Sequence, residues 1–194
     1  ISVLGHHSGL ATMLISTFAN ADRTLIPEVP FEPGRLGELL LEDRHKNPSN
    51  YAILVMSENA RFDPQQAPEL IANLAADVVV AGRRGSGPMV TRVLEEVLRQ
   101  HLLHQPLSYL TRTGEVDGWD LFAATNFGII AVDLAAKSSH GRMVAYRPGE
   151  SYVDVPLAEA TQPFEVDVTE FYDAESYTVK PNIYTVGARR TLGL

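Results

Sequence analysis

Apolar positions recur along this chain at two different periods. Ile1 to Leu4 form a short apolar run that stops at Gly5-His6-His7-Ser8-Gly9, after which Leu10, Met13, Leu14, Thr17 and Phe18 fall on one helical face. Thr24-Leu25-Ile26 is a second short run. Pro27, Pro30 and Pro33 then impose a loop, Leu36, Leu39 and Leu40 restart a helical stripe, and Tyr51 to Met56 reads as a buried strand. Strands alternating with helices predict βαβ units, hence an α/β, three-layer domain built on a largely parallel sheet. In such a sheet ligands bind at the C-terminal ends of the strands.

Farther on, Asp77 to Ala81 is a short β-like run and Gly82-Arg83-Arg84-Gly85-Ser86-Gly87 a flexible loop. Val90, Val93, Leu94, Val97, Leu98 and Leu102 make another helical stripe. Leu107 to Thr111 reads as a strand, and Trp119 to Ala136, apolar on most sides, as a buried helix. Beyond Gly141 the pieces Arg142 to Tyr146 and Tyr152 to Val155, joined at Pro148-Gly149, predict a short β-hairpin near the C-terminus. Residues 1–194 read as a single domain in which Thr178 to Leu194, with little periodicity, forms an arm.

Composition narrows the function classes. A formal net charge of −8 excludes a large nucleic-acid footprint, which needs clustered Lys and Arg, and means that an anionic ligand requires a local positive pocket. With no cysteine there is neither a disulfide framework nor thiolate metal chemistry, in keeping with a cytoplasmic setting. No run reaches the ~20 consecutive apolar residues of a membrane span, so none is expected. Because Ile1 stands inside a strand-like run with no Met, the chain reads as cut from something longer.

Three segments carry candidate chemistry. Leu4-Gly5-His6-His7-Ser8-Gly9 runs from a strand through a Gly turn into a helix, which turns backbone N–H groups and a positive helix end toward the strand edge, as a phosphate or polar sugar requires. Read locally, it is equally an ordinary βα turn. Glu28 follows a strand between Pro27 and Pro30, where a carboxylate accepts hydrogen bonds from sugar hydroxyls or is a solvated loop acid. Tyr109 and Arg112 stand at the exit of the strand-like run at Leu107, a hydroxyl and a fixed guanidinium suited to a phosphate monoester or, read locally, an ordinary aromatic and a surface Arg. Glu58 ends the strand-like Ala52 to Ser57 run, where function concentrates in parallel sheets, or equally caps the following turn. His6 with His7, and His101 with His104, lack further ligands, so no metal site is expected.

The order of these pieces resembles the C-terminal half of the phosphofructokinases, ATP-dependent and pyrophosphate-dependent alike, from Ile1 to about Tyr146. Leu4-Gly5-His6 matches a Met-Gly-Arg turn, Ile26-Pro27-Glu28-Val29 stands intact, and Tyr109-Leu110-Thr111-Arg112 matches a Tyr-x-x-Arg segment. Trp119 to Ala124, then Gly128 to Leu134 and Gly141 to Ala145, follow in family order. The resemblance implies that Leu4, Gly5 and His6 lie at fructose 6-phosphate, that Glu28 bonds hexose hydroxyls, and that Tyr109 and Arg112 hold the 6-phosphate. His6 replaces an Arg, and Glu58-Asn59-Ala60 and Thr111-Arg112-Thr113-Gly114 each lack a family glycine. The family's Gly-Gly-Asp loop and Thr-Ile-Asp-x-Asp catalytic segment are not found in the sequence. The resemblance therefore implies a sugar-binding half that is inactive alone, no catalytic residue in this chain, and Mg²⁺ with ATP or pyrophosphate bound by a missing N-terminal half. A homo-oligomer is implied as well. The alternative is a degenerate or regulatory domain that binds a sugar-phosphate effector.

Overall fold

In the computed structural model, which describes residues 1–63, 86–147, 151–161 and 166–185, a three-stranded parallel sheet organises the first part of the chain. Its strands are β1 (Ser2–Val3), β2 (Arg23–Leu25) and β3 (Leu54–Ser57), in spatial order β1-β3-β2. Ser2 pairs with Met56 and Thr24 with Val55. Helix α1 (Leu10–Phe18) buries Thr12, Met13 and Ser16 and packs on β2 and β3. Helix α2 (Pro33–Lys46) buries Leu36, Leu39 and Leu40, the stripe that the sequence predicts. Both ends of α2 follow from sequence: Pro33 opens it, the Glu32 carboxylate accepts from the Gly34 amide at 2.7 Å and from the Arg35 amide, and Arg44, His45 and Lys46 sit at the negative end of the helix dipole.

Helix α3 (Ser86–Leu98) buries Val90, Val93 and Leu94 and packs on β3 and α2. It starts at Ser86, two residues inside the expected loop; Ser86 Oγ donates to the Glu58 carbonyl at 2.5 Å and anchors the helix end. The expected strand at Asp77–Ala81, and Gly82 to Gly85, lie outside the described residues, as does Pro148-Gly149. The strand expected over Leu107–Thr111 is corrected. Only a bridge at Pro106 joins the sheet beside Ser2, and Ser108–Arg112 is a 3₁₀ helix, the chain turning at Ser108 with φ +30°.

By its contacts the chain falls into two compact units, Ile1–Arg112 with Phe164–Tyr184, and Thr113–Pro163 with Thr185–Leu194. The second unit contains helix α4 (Gly118–Ala136), capped by the Asp117 carboxylate on the Asp120 amide, and a hairpin of β4 (Arg142–Arg147) with β5 (Ser151–Pro156). The hairpin is where the sequence places it. The burial expected for Trp119–Ala136 is not: no residue of α4 is buried. Half-covered are Ala123, Asn126, Phe127, Ile130 and Leu134, with Phe127 edge-on to Tyr152 at 5.4 Å, while Trp119, Phe122, Ile129 and Val132 are more than half exposed. Sequence apolarity reports that a helix needs covering, not that this unit covers it. By length and composition α4 also meets the requirement for crossing a membrane, because Asp120, Asn126 and Asp133 are too few to offset its apolar residues. The absence of a long uninterrupted apolar run was therefore the wrong criterion.

The arm expected over Thr178 to Leu194 is described as far as Thr185. Thr178–Val179 pairs antiparallel with Tyr172–Asp173, and Pro181–Thr185 is a 3₁₀ turn, with Ile183 fully buried in the first unit; residues 186–194, including Arg189 and Arg190, lie outside the described residues.

Candidate functional site

The C-terminal ends of β1, β2 and β3 each deliver one candidate segment. After β1, Gly5 takes a position where a side chain has no room: a Cβ there would stand 2.9 Å from Thr12 Oγ1 and 3.1 Å from Ser57 Oγ. Ser57 Oγ donates to the Gly5 carbonyl at 2.5 Å, and Asn59 Nδ2 donates to the His6 carbonyl at 2.8 Å. The end of β3 thus fixes the turn after β1, with Leu4 and Gly5 half-buried and the His6 and His7 side chains exposed.

After β2, the Glu28 carboxylate accepts the Gly9 amide with both oxygens, at 2.8 and 3.1 Å. A carboxylate at the N-terminus of α1 satisfies an otherwise unpaired donor and complements the helix dipole. Arg61 crosses behind it, donating from Nε and Nη2 to the Pro27 carbonyl at 3.2 and 2.8 Å. His6, His7, Pro27, Glu28, Asn59 and Arg61 line one cavity of about 370 Å³.

After β3, the Glu58 carboxylate accepts from Ser108 Oγ at 2.7 Å. Tyr109, exposed beside it, lines with Glu58 and Ser108 a second cavity of about 960 Å³, which Arg92 and His104 also border. His104 Nε2 and Ser2 Oγ share a hydrogen bond of 3.0 Å. Arg112 ends the same 3₁₀ helix as Tyr109, and its side chain lies outside the described residues.

Of the six residues that the sequence singles out, Gly5, His6 and Glu28 are therefore grouped through the βα turn, and Tyr109 is grouped with Glu58. The neighbours Glu58 and Asn59 divide the two cavities between them. Sequence reasoning missed Asn59, Arg61 and Ser108. The one signal available for them was position, since each follows a strand end or adjoins a candidate residue. Among the described residues no three His, Asp or Glu side chains group as a metal site requires.

Comparison with known proteins decides the family. The model of the family described as Phosphofructokinase matches residues 1–135, more than half of the chain. The chain belongs to the phosphofructokinase family. This phosphofructokinase-family chain is 34% identical over 161 residues to the ATP-dependent 6-phosphofructokinase of Chloroflexus aurantiacus, covering 82% of the chain and 42% of that relative. It is 31% identical to ATP-dependent 6-phosphofructokinase 2 of Streptomyces coelicolor, covering 82% of the chain and 46% of the relative. It therefore spans less than half the length of these curated relatives. Among solved structures, the pyrophosphate-dependent phosphofructokinase of Marinobacter aquaeolei superposes with a TM-score of 0.66 at 18% identity, covering 99% of this chain and 46% of that one. The enzyme of the same description from Nitrosospira multiformis gives 0.65 at 16%. These two likenesses bear on the fold: phosphofructokinase-like α/β, with a parallel sheet and a C-terminal hairpin.

Proposed function

We propose that this chain is the fructose 6-phosphate-binding half of a 6-phosphofructokinase, acting in cytosolic glycolysis. In this reading it orients the sugar 1-hydroxyl toward a phosphoryl donor, ATP or pyrophosphate, bound by the remaining half. The observation that carries it is the placement of Glu58 at the C-terminal end of β3, hydrogen-bonded to Ser108, the residue before Tyr109, with all three lining one cavity. A carboxylate accepts sugar hydroxyls, and a Tyr hydroxyl with an Arg guanidinium binds a phosphate dianion, so Glu58, Tyr109 and Arg112 supply the two kinds of group that a hexose phosphate demands.

In this reading Leu4, Gly5 and His6 contribute the turn after β1, and His6 borders the neighbouring cavity with Glu28 and Asn59. Glu28 contributes through the Gly9 amide that it holds, which keeps the turn pinned where a ligand meets it. Mg²⁺ bound with the donor by the remaining half would neutralise phosphate charge. What this chain does is hold the acceptor, an effect worth several kcal/mol in barrier lowering, of order a few powers of ten in rate. Titrating fructose 6-phosphate against the chain by calorimetry tests the reading, and no heat of binding at millimolar sugar phosphate rejects it.

The partner in this proposal is the remaining half of a phosphofructokinase-length polypeptide, in an assembly that further associates as a homo-oligomer. Helix α4 supports it. Exposed apolar residues on more than one side, Trp119 and Phe122 together with Ile129 and Val132, call for enclosure by more protein than the hairpin offers. Asp120 and Asp133 would be costly in lipid and are tolerable at a protein boundary. Ile129→Glu with Val132→Glu is expected to abolish co-purification with a co-expressed phosphofructokinase N-terminal half while leaving the far-UV spectrum of the chain unchanged. Retained co-purification, or binding of the chain to phosphatidylcholine vesicles, would tell against this partner.

A further inference from the structure

One residue of the returning C-terminal segment grips both ends of the arc that carries Glu28. The Thr24 amide, on β2 just before the arc, donates to the Tyr177 carbonyl at 2.8 Å. The Glu32 amide, at the end of the arc and at the N-cap of α2, donates to the Tyr177 hydroxyl at 3.0 Å. Tyr177 is 5% exposed and holds φ +54°, a left-handed backbone that a bulky side chain adopts only when its surroundings impose it. Around it the same segment is fastened twice more: Tyr172 Oη donates to the Thr24 carbonyl at 2.5 Å, and Arg23 Nη1 donates to the Ser176 carbonyl at 2.6 Å. Burial pushes the Tyr172 hydroxyl well above its ordinary range, so it stays protonated and remains a donor at any pH the protein meets.

We infer that Tyr177 is a positioning residue for the sugar-phosphate site, acting through Glu28. With Thr24 and Glu32 tied to a single side chain and its backbone, the loop between them has fixed ends. Arg61 then supports its middle at Pro27, and the Glu28 carboxylate is left one place to stand, against the Gly9 amide. From Gly9 the constraint passes to the Gly5–Ser8 turn. A segment more than 140 positions later in the chain thereby sets the wall of the site. For its ligand this inference rests on the reading proposed above; its geometry does not.

The test uses the chain, Tyr177→Phe, Glu28→Ala and the double variant. Tyr177→Phe keeps the ring and the bond to Thr24 and removes only the acceptor for Glu32. Expected are at least tenfold faster hydrogen exchange at the Glu32 amide, a displaced Gly9 amide resonance in the NMR spectrum, and fructose 6-phosphate affinity weakened about 3- to 10-fold, the yield of one neutral hydrogen bond. In the Glu28→Ala background the same change is expected to cost nothing further, because both act along one path. An unmoved Gly9 resonance, or affinity losses that simply add, would overturn the inference. Failure of the unsubstituted chain to bind the sugar phosphate would sink the functional reading and leave the two amide measurements to decide the role of Tyr177. Should Tyr177→Phe not fold, exchange in the unsubstituted chain decides: Glu32 protected about 100-fold or more over an unstructured amide supports the grip, and an unprotected Glu32 refutes it.

Discussion

Arg112→Ala is expected to weaken fructose 6-phosphate binding by about 1.5 to 3 kcal/mol, roughly 10- to 100-fold, the range for a charge-assisted hydrogen bond to a phosphate. Arg112 closes the 3₁₀ helix that also carries Tyr109 and that Ser108 ties to Glu58. Removing the guanidinium deletes the fixed cation while the ties that place its neighbours remain. The chain as a whole carries a charge of −8, so a dianion approaching an unassisted site meets net repulsion, and the deficit should widen at low ionic strength, where screening is least. Arg112→Lys should recover only part of the loss, since an ammonium cannot make the paired contact of a guanidinium. Isothermal titration at two salt concentrations reads the parent and both variants. Equal affinity in each of them would remove Arg112 from the site.

The largest loss of stability is expected from Arg23→Ala, about 3 to 5 kcal/mol, the cost of leaving a buried charge without its partner. Arg23 and Asp43 form a two-pronged ion pair at 2.5 and 2.6 Å, with side chains only 10% and 12% exposed. The Asp43 hydrogen bond holds the Arg23 guanidinium above even its ordinary high range, against the opposing effect of burial. The third prong, to the Ser176 carbonyl, couples the pair to the returning segment. The substitution should therefore lower the urea midpoint and also raise proteolysis within Val166–Tyr184. Replacing the pair together, Arg23→Met with Asp43→Leu, is expected to restore most of the stability, because no charge is then left stranded. A single Arg23→Ala variant as stable as the parent would show that water reaches Asp43 freely.

The parts of this fold that were legible in the sequence are those fixed by local period. Leu36, Leu39 and Leu40, and Val90, Val93 and Leu94, lie at helical spacing and are buried on helices as that spacing requires. The hairpin was legible for the same reason at period two. Helix α4 was legible as a helix and misread as to burial, since apolar composition does not say which surfaces cover a helix, and among the described residues none buries it. The strand expected at Leu107–Thr111 failed because apolar content over so short a run cannot register a turn at Ser108.

Gly5 and Glu28 were singled out as candidates because βα turns and strand ends have sequence signatures. That Glu28 spends both oxygens on Gly9 was not readable, because the two are joined only after β1 and β2 are brought side by side across β3. Tyr177 carries no local signature at all. The role inferred for it rests on two bonds to positions far upstream, and no local window contains Tyr177 together with either partner.

The bond from Arg23 to Ser176 spans 153 positions. On the ribosome, at roughly 5 to 20 residues per second, β2 therefore waits of order ten seconds or more before its finishing strip is synthesised. Through that interval the nascent chain carries a half-made sheet whose open border invites pairing with other polypeptides. A message truncated ahead of Tyr172 would make the condition permanent, so products terminated there should burden the chaperones of the cell.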